Sequence, residues 1–192
     1  MADRFKGTAR PMSPQIARFF QSFFRQEDAI LDVGAGAGAL LWGDAVGIDL
    51  DVGFVAGTGK RFVQGDVGGA LPFKDGVFDG AIAKDIIEHV EQPLLLMQEL
   101  KRVTKPGARL AIVTPRGIPR AVYADYTHRR GFTRGAMRML MEDSEWKVEK
   151  LTRIGSVPLA GRLKAIRLIP VLLKVPGVGH YFGTNWLVVA SR

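Results

Sequence analysis

Short apolar runs alternate with stretches of helical periodicity along the 192-residue chain, the pattern of βαβ units around a parallel sheet. The first periodic stretch predicts a helix. Ser13 suits its N-cap and Pro14 its first position, and Ile16, Phe19, Phe20, Phe23 and Phe24 recur at i, i+3, i+4, i+7 and i+8. Four phenylalanines on one stripe read as core. Strands are expected at residues 29–33, 45–48, 61–64 and 77–83, the third followed by Gly65-Asp66. A helix from about Pro93 carries Leu94, Leu95, Met97, Leu100 and Val103 mostly on one side, and Lys105-Pro106-Gly107 stops it. A fifth strand fits residues 109–114. After an irregular segment, Thr133 can cap a helix with Met137, Leu140 and Met141. Last strands fit residues 146–154 and 186–190, with a basic, apolar, proline-broken connection over 158–183 between them.

Composition narrows the class. Hydrophobic residues at 47% and charged residues at 24% are globular proportions, and a chain of this length can bury one sizeable core. There is no cysteine, which excludes disulfides, thiolate metal sites and a cysteine nucleophile. No apolar run approaches a membrane span, and the first residues lack the apolar core of a secretory signal, so the expected location is the cytoplasm. The net charge of +8 hides a polarity. Residues 27–99 hold thirteen acids against four bases, whereas residues 116–192 hold fourteen bases against five acids. A uniform basic coat of the kind that binds nucleic acid is therefore excluded.

The strongest local chemistry is Asp32-Val-Gly34-Ala-Gly36-Ala-Gly38 at the end of the first strand. Glycines at alternate positions let the backbone turn sharply and approach a ligand closely. Asp49 closes the next strand, where a carboxylate can accept both hydroxyls of a ribose; Asp51 reads as a solvated neighbour. The spacing is G-x-G-x-G and not the G-x-G-x-x-G that packs beside a pyrophosphate, which disfavours a nicotinamide dehydrogenase.

These stretches, with Gln64-Gly-Asp66, Leu71-Pro-Phe-Lys-Asp-Gly-Val-Phe-Asp79, Glu88-His-Val90 and Glu99-Leu-Lys-Arg-Val-Thr-Lys-Pro-Gly107, fall in an order that resembles the class I S-adenosylmethionine-dependent methyltransferases of the small-molecule, UbiE-like type. The resemblance covers residues 29–115 and weakens through 125–133. It implies an α/β, Rossmann-like three-layer sandwich with a seven-stranded, mostly parallel sheet and an antiparallel last strand. It implies one domain: residues 1–28 an amphipathic helix, 29–115 the cofactor half, 116–192 the acceptor side. It also implies S-adenosylmethionine as cofactor. Gly34, Gly36 and Gly38, led in by Asp32, would then flank its methionine part and Asp49 its ribose. Asp66 and Val67 would meet the adenine, and Asp85 would lie near the methionine amine or the acceptor. Helix capping is the alternative role for Asp66 and Asp85.

One departure stands out. Only residues 39–45 join the third glycine to the next strand, so the first crossover helix is shortened or replaced by a loop plugged by Trp42. The exposed face of the sheet must then be shielded by the phenylalanine-rich helix or a partner subunit such as a second copy, or the cofactor site is looser than usual.

Methyl transfer to oxygen or nitrogen can use a base, and histidine suits that role at neutral pH. His128, in the irregular segment beside Tyr123, Asp125 and Tyr126, is the first candidate and His89 the second; His180 lies in the basic tail. A loop hydrogen bond to Asp125 for His128 and a helix-surface or cap position for His89 are their bland alternatives. Arg116, Arg120, Arg129, Arg130 and Arg134, with Tyr126, point to a small acceptor of anionic character. No metal ligand set is read. The mixed aliphatic and basic stretch 162–174 suits either a lipid-linked acceptor at a membrane surface or a core connection with snorkelling bases. No stacking platform and no Asn-Pro-Pro-Tyr signature favour nucleic acid. The expected activity is methyl transfer to a small hydroxylated or anionic metabolite, O-methylation ahead of N- or C-methylation. The competing expectation is a binding module of the same fold without turnover.

Overall fold

A computed structural model describes residues 14–53, 58–123, 125–154 and 184–192. Ser13, His180, the 162–174 stretch and the whole 158–183 connection lie outside the described residues. Seven strands form one sheet: β1 (Ile30–Val33), β2 (Val46–Asp49), β3 (Arg61–Gln64), β4 (Phe78–Lys84), β5 (Thr104–Pro115), β6 (Lys147–Ile154) and β7 (Asn185–Ser191). Their order is β3-β2-β1-β4-β5-β7-β6, parallel except for β7, which runs antiparallel to both of its neighbours.

β1 is buried along its whole length, as an unalternated Ile-Leu-Asp-Val run between two parallel neighbours requires. Its side chains divide the core in two. Leu31 and Val33 join the cluster under α2 (Pro93–Val103) and α4 (Arg134–Asp143), where Met97, Leu100, Met137 and Met141 are buried. Ile30 belongs to the opposite face with Phe20, Phe23 and Phe24 at the end of α1 (Pro14–Phe23). Thr133 caps α4 as its sequence predicts, its hydroxyl accepting from Ala136 N at 3.1 Å.

Two elements differ from expectation. In α2 the buried residues are Leu96, Met97, Leu100 and Val103, while Leu94 is exposed. Four consecutive apolar residues leave the phase of the helix open, and the sheet selects Leu96 over its neighbours. β5 begins at Thr104 and not at Arg109, because Thr104 pairs with Phe78 before a register shift takes up Lys105-Pro106-Gly107.

No helix stands between β1 and β2 among the described residues. Leu40 and Ala45 are buried in the α1 cluster, and Trp42 is half-buried against it. The connection thus lies flat on the core beside the phenylalanines.

Candidate active site

Chain order reverses between β1 and β4, so the loops leaving their carboxyl ends border a crevice, the usual ligand position in such sheets. The loop after β1 is held open from below. Gly34 N and Ala35 N both donate to the Ile48 carbonyl, at 2.9 and 3.2 Å. Gly34 and Gly36 have φ of +69° and +50°, conformations side chains rarely adopt. A Cβ on Gly34 would lie 2.8 Å from Ile86 Cδ1, beyond β4, whereas one on Gly36 would meet no described atom within 4 Å. The loop therefore presses against the far lip of the crevice at Gly34 and offers bare main chain at Gly36.

Asp49 ties that loop to β2. Its Oδ2 accepts from Gly36 N at 2.9 Å and its Oδ1 from Asp51 N at 3.2 Å. Each oxygen retains a lone pair for a further donor. Lys60 Nζ donates to the Gly38 carbonyl at 2.6 Å, bracing the loop's end. Leu50, next to Asp49, is 66% exposed, a large apolar surface at the mouth of the crevice. Asp66 is exposed and accepts from Gly68 N at 2.7 Å, closing a turn, and Val67 beside it is buried. Glycine cradle, two-oxygen carboxylate and apolar flank together fit an adenosine-type cofactor.

Asp32 is buried in the middle of β1, and burial pushes its acid up to about 7, with Lys84 opposing and Asp49 adding to the rise. Asp85 is exposed, ion-paired with Lys84, and carries a φ of +52° at the end of β4. Neither Asp66 nor Asp85 caps a helix among the described residues. The helix after Asp85 starts at Pro93, with Gln92 at its N-cap.

The acceptor-side segment folds back over the loop after β4. Arg129 N donates to the Glu88 carbonyl at 3.0 Å and an Arg130 guanidinium nitrogen to the Glu91 carbonyl at 2.9 Å. Within the segment, α3 (Pro119–Val122) makes one turn. His128 and His89 meet there edge to face, their ring centres 4.8 Å apart. His128 does make a loop hydrogen bond to Asp125, its main-chain N donating to the Asp125 carbonyl at 3.2 Å, while its ring Nδ1 lies 2.9 Å from the Val122 carbonyl. His89 sits in a turn and not on a helix, with Nδ1 3.2 Å from the Thr127 carbonyl and 3.1 Å from the Thr127 hydroxyl. Burial and the neighbouring His128 hold the His89 imidazole below its ordinary range.

Tyr123 and Tyr126 are exposed on the segment, and Arg129 lies 3.8 Å from Glu91. Arg116 packs over the Trp186 ring, its guanidinium carbon 5.3 Å from the centroid. Arg134 is exposed in the first turn of α4.

Sequence reasoning gave no role to Leu50, Lys60 or Glu88. Glu88 is wholly buried, accepts the Thr114 hydroxyl at 3.0 Å, and is pushed up to about 7 by burial. Its place beside His89 in the quoted Glu88-His-Val90 run was the available cue. A depression of about 380 Å3 lined by Lys101, Arg102, Glu145 and Arg192 lies at the opposite end of the strands, by the start of β5, and takes no part in this crevice.

Residues 31–112 match the family described as methyltransferase domain. An uncharacterized methyltransferase of Mycolicibacterium gilvum is 39% identical over 98 residues, 44% of this chain and 38% of that protein. A demethylmenaquinone methyltransferase of Renibacterium salmoninarum is 35% identical over 116 residues, 52% of this chain and 48% of that protein. The chain thus spans less than half the length of these curated relatives. Among solved structures, a SAM-dependent methyltransferase from Archaeoglobus fulgidus superposes with a TM-score of 0.71 at 16% identity, covering 99% of this chain and 97% of that one. No helix among the described residues is long and apolar enough to cross a membrane.

Proposed function

We propose that this chain, which has the class I S-adenosylmethionine-dependent methyltransferase fold and matches the methyltransferase domain over residues 31–112, moves a methyl group from S-adenosylmethionine to a small hydroxylated or anionic acceptor, with oxygen as the receiving atom. The observation that carries the reading is the hydrogen bond that joins the bare main chain at Gly36 to the Asp49 carboxylate at the end of β2. In this reading Gly34, Gly36 and Gly38 seat the methionine part and Asp49 takes the ribose hydroxyls. Asp66 takes the adenine amino group, Val67 and Leu50 flank the ring, and Asp85 faces the methionine amine.

The cofactor supplies a methyl group already activated on a sulfonium, so the protein's part is to align the acceptor and exclude water. His128 is placed for the proton. Its Nδ1 faces a carbonyl, which only accepts, so the neutral ring carries its hydrogen there and keeps a lone pair on Nε2 for an acceptor hydroxyl. Tyr126, Arg129 and Arg130 line the same segment and favour an anionic acceptor. The relative named for demethylmenaquinone supports a small-molecule acceptor class.

A second reading, a binding module without turnover, draws on the absence of a helix between β1 and β2 among the described residues. Methyl-labelled S-adenosylmethionine offered with a panel of phenols, catechols and hydroxy acids separates the two. The proposal expects label on oxygen, and a loss of 100-fold or more in turnover in His128→Ala with cofactor affinity unchanged. Label on carbon or nitrogen, or full turnover in that variant, contradicts it. Cofactor binding with no transfer to any member favours the module.

A further inference from the structure

Where the loop after β4 meets the 125–131 segment, Glu88, His89 and His128 each bring one ligand-type atom within 4.8 Å of the others. The surroundings of these atoms are unusual for a structural cluster. Glu88 Oε2 accepts from Thr114, but Oε1 is buried with no hydrogen-bond partner among the described residues. His128 Nε2 stands 4.0 Å from it, beyond hydrogen-bond reach.

Both imidazoles are oriented through their other nitrogen. His128 Nδ1 meets the Val122 carbonyl. His89 Nδ1 meets the Thr127 carbonyl and the Thr127 hydroxyl, whose own hydrogen goes to Asp125 Oδ1 at 2.7 Å. These partners can only accept, so each Nδ1 is the donor and each neutral ring keeps its lone pair at Nε2. Histidines that bind metals are held in this way, the distal N–H given to a carbonyl or carboxylate. A wholly buried carboxylate oxygen and a lone-pair nitrogen that face each other without a shared hydrogen leave a place for an electrophile between them.

We propose that Glu88, His89 and His128 bind one divalent first-row transition ion of the zinc class. Two imidazoles and one carboxylate suit zinc, cobalt, iron or manganese, whereas magnesium and calcium take oxygen shells. Metal–ligand distances of about 2.0–2.2 Å place tetrahedral ligand atoms roughly 3.4 Å apart, so the cluster closes by up to roughly 1.4 Å on loading. The ligands come from two segments that the Arg129 N to Glu88 carbonyl bond already holds together. Three protein ligands leave a coordination position open. The ion's role, raising the acidity of an acceptor hydroxyl held there in place of direct proton removal by His128 Nε2, whose lone pair the ion takes when bound, rests on the methyltransferase reading; its binding does not.

The untagged full chain, stripped with a chelator, is titrated with Co2+ followed by visible absorption and with Zn2+ by calorimetry. S-adenosylhomocysteine is titrated into the same preparation. The proposal expects one equivalent of either metal, a cobalt ligand-field band, and no displacement by excess Mg2+. Glu88→Gln and His128→Ala should each weaken binding at least tenfold with unchanged circular dichroism, and His89→Ala replaces either variant that does not fold. Failure of the wild-type chain to take up Co2+ or Zn2+ at 100 μM overturns the site, as does binding that survives the substitutions or yields to Mg2+. Heat with S-adenosylhomocysteine but none with metal removes the ion and leaves the methyltransferase reading standing. Metal uptake without that heat does the reverse.

Discussion

Asp32 occupies the centre of the sheet, and its environment gives the fold a titration of its own. Burial raises its acid to about 7, so the folded chain prefers the protonated form. The sign follows from linkage: this contribution to stability is complete below the ordinary carboxylate range and is lost as pH rises through about 7. Asp32→Asn keeps the shape and removes the titration. Urea unfolding at pH 5 and pH 8 should show wild type losing on the order of 3 kcal/mol more than the variant across that interval; parallel profiles contradict the assignment. The glycine loop and Asp49 were legible as candidates because they lie at adjacent strand ends, where local pattern and chemistry coincide, and Asp32 because it leads into that loop. The Glu88 and His128 pairing was not, since 40 residues separate them and backbone bonds such as Arg129 N to the Glu88 carbonyl create the contact.

At the scale of elements, the strands were readable wherever an apolar run was bounded by Gly, Asp or Pro. β3 falls on residues 61–64 as expected. The reading of α2 shifted because propensity does not choose among Leu94, Leu95 and Leu96; only the sheet beneath does. Docking of α1 depends on a residue that sequence pattern does not mark. A Cβ on Gly80 in β4 would lie 2.5 Å from Phe24 Cε1 and 2.8 Å from the Arg109 carbonyl oxygen. The Arg109 guanidinium in turn stacks 3.6 Å from the Phe23 ring centre and donates to the Phe23 carbonyl at 2.7 Å. Gly80→Ala should therefore push α1 off the sheet and cost about 1–3 kcal/mol in denaturant unfolding, as overpacking does. A neutral result would mean that Phe24 does not seat on β4 as described.

Over the whole molecule, the division into an acidic first half and a basic second half follows the division of labour in the proposed reaction. In that proposal the acidic half would supply Asp49, Asp66 and Asp85 around the cofactor, and the basic half the arginines of the acceptor side. This polarity was plain in the sequence, and so was the order of motifs that implies the fold. The layer over the α1 face was legible only as alternatives, the phenylalanine-rich helix with a loop plugged by Trp42 or a partner subunit, and Phe20, Leu40, Ala45 and Trp42 make up its described part. The central claim is that the glycine loop and Asp49 together seat an adenosine cofactor. Isothermal titration of the full chain with S-adenosylhomocysteine tests it directly. The account predicts one site of micromolar affinity, about −8 kcal/mol, weakened at least tenfold by Asp49→Ala. No heat at millimolar ligand, or an affinity indifferent to Asp49, would contradict it.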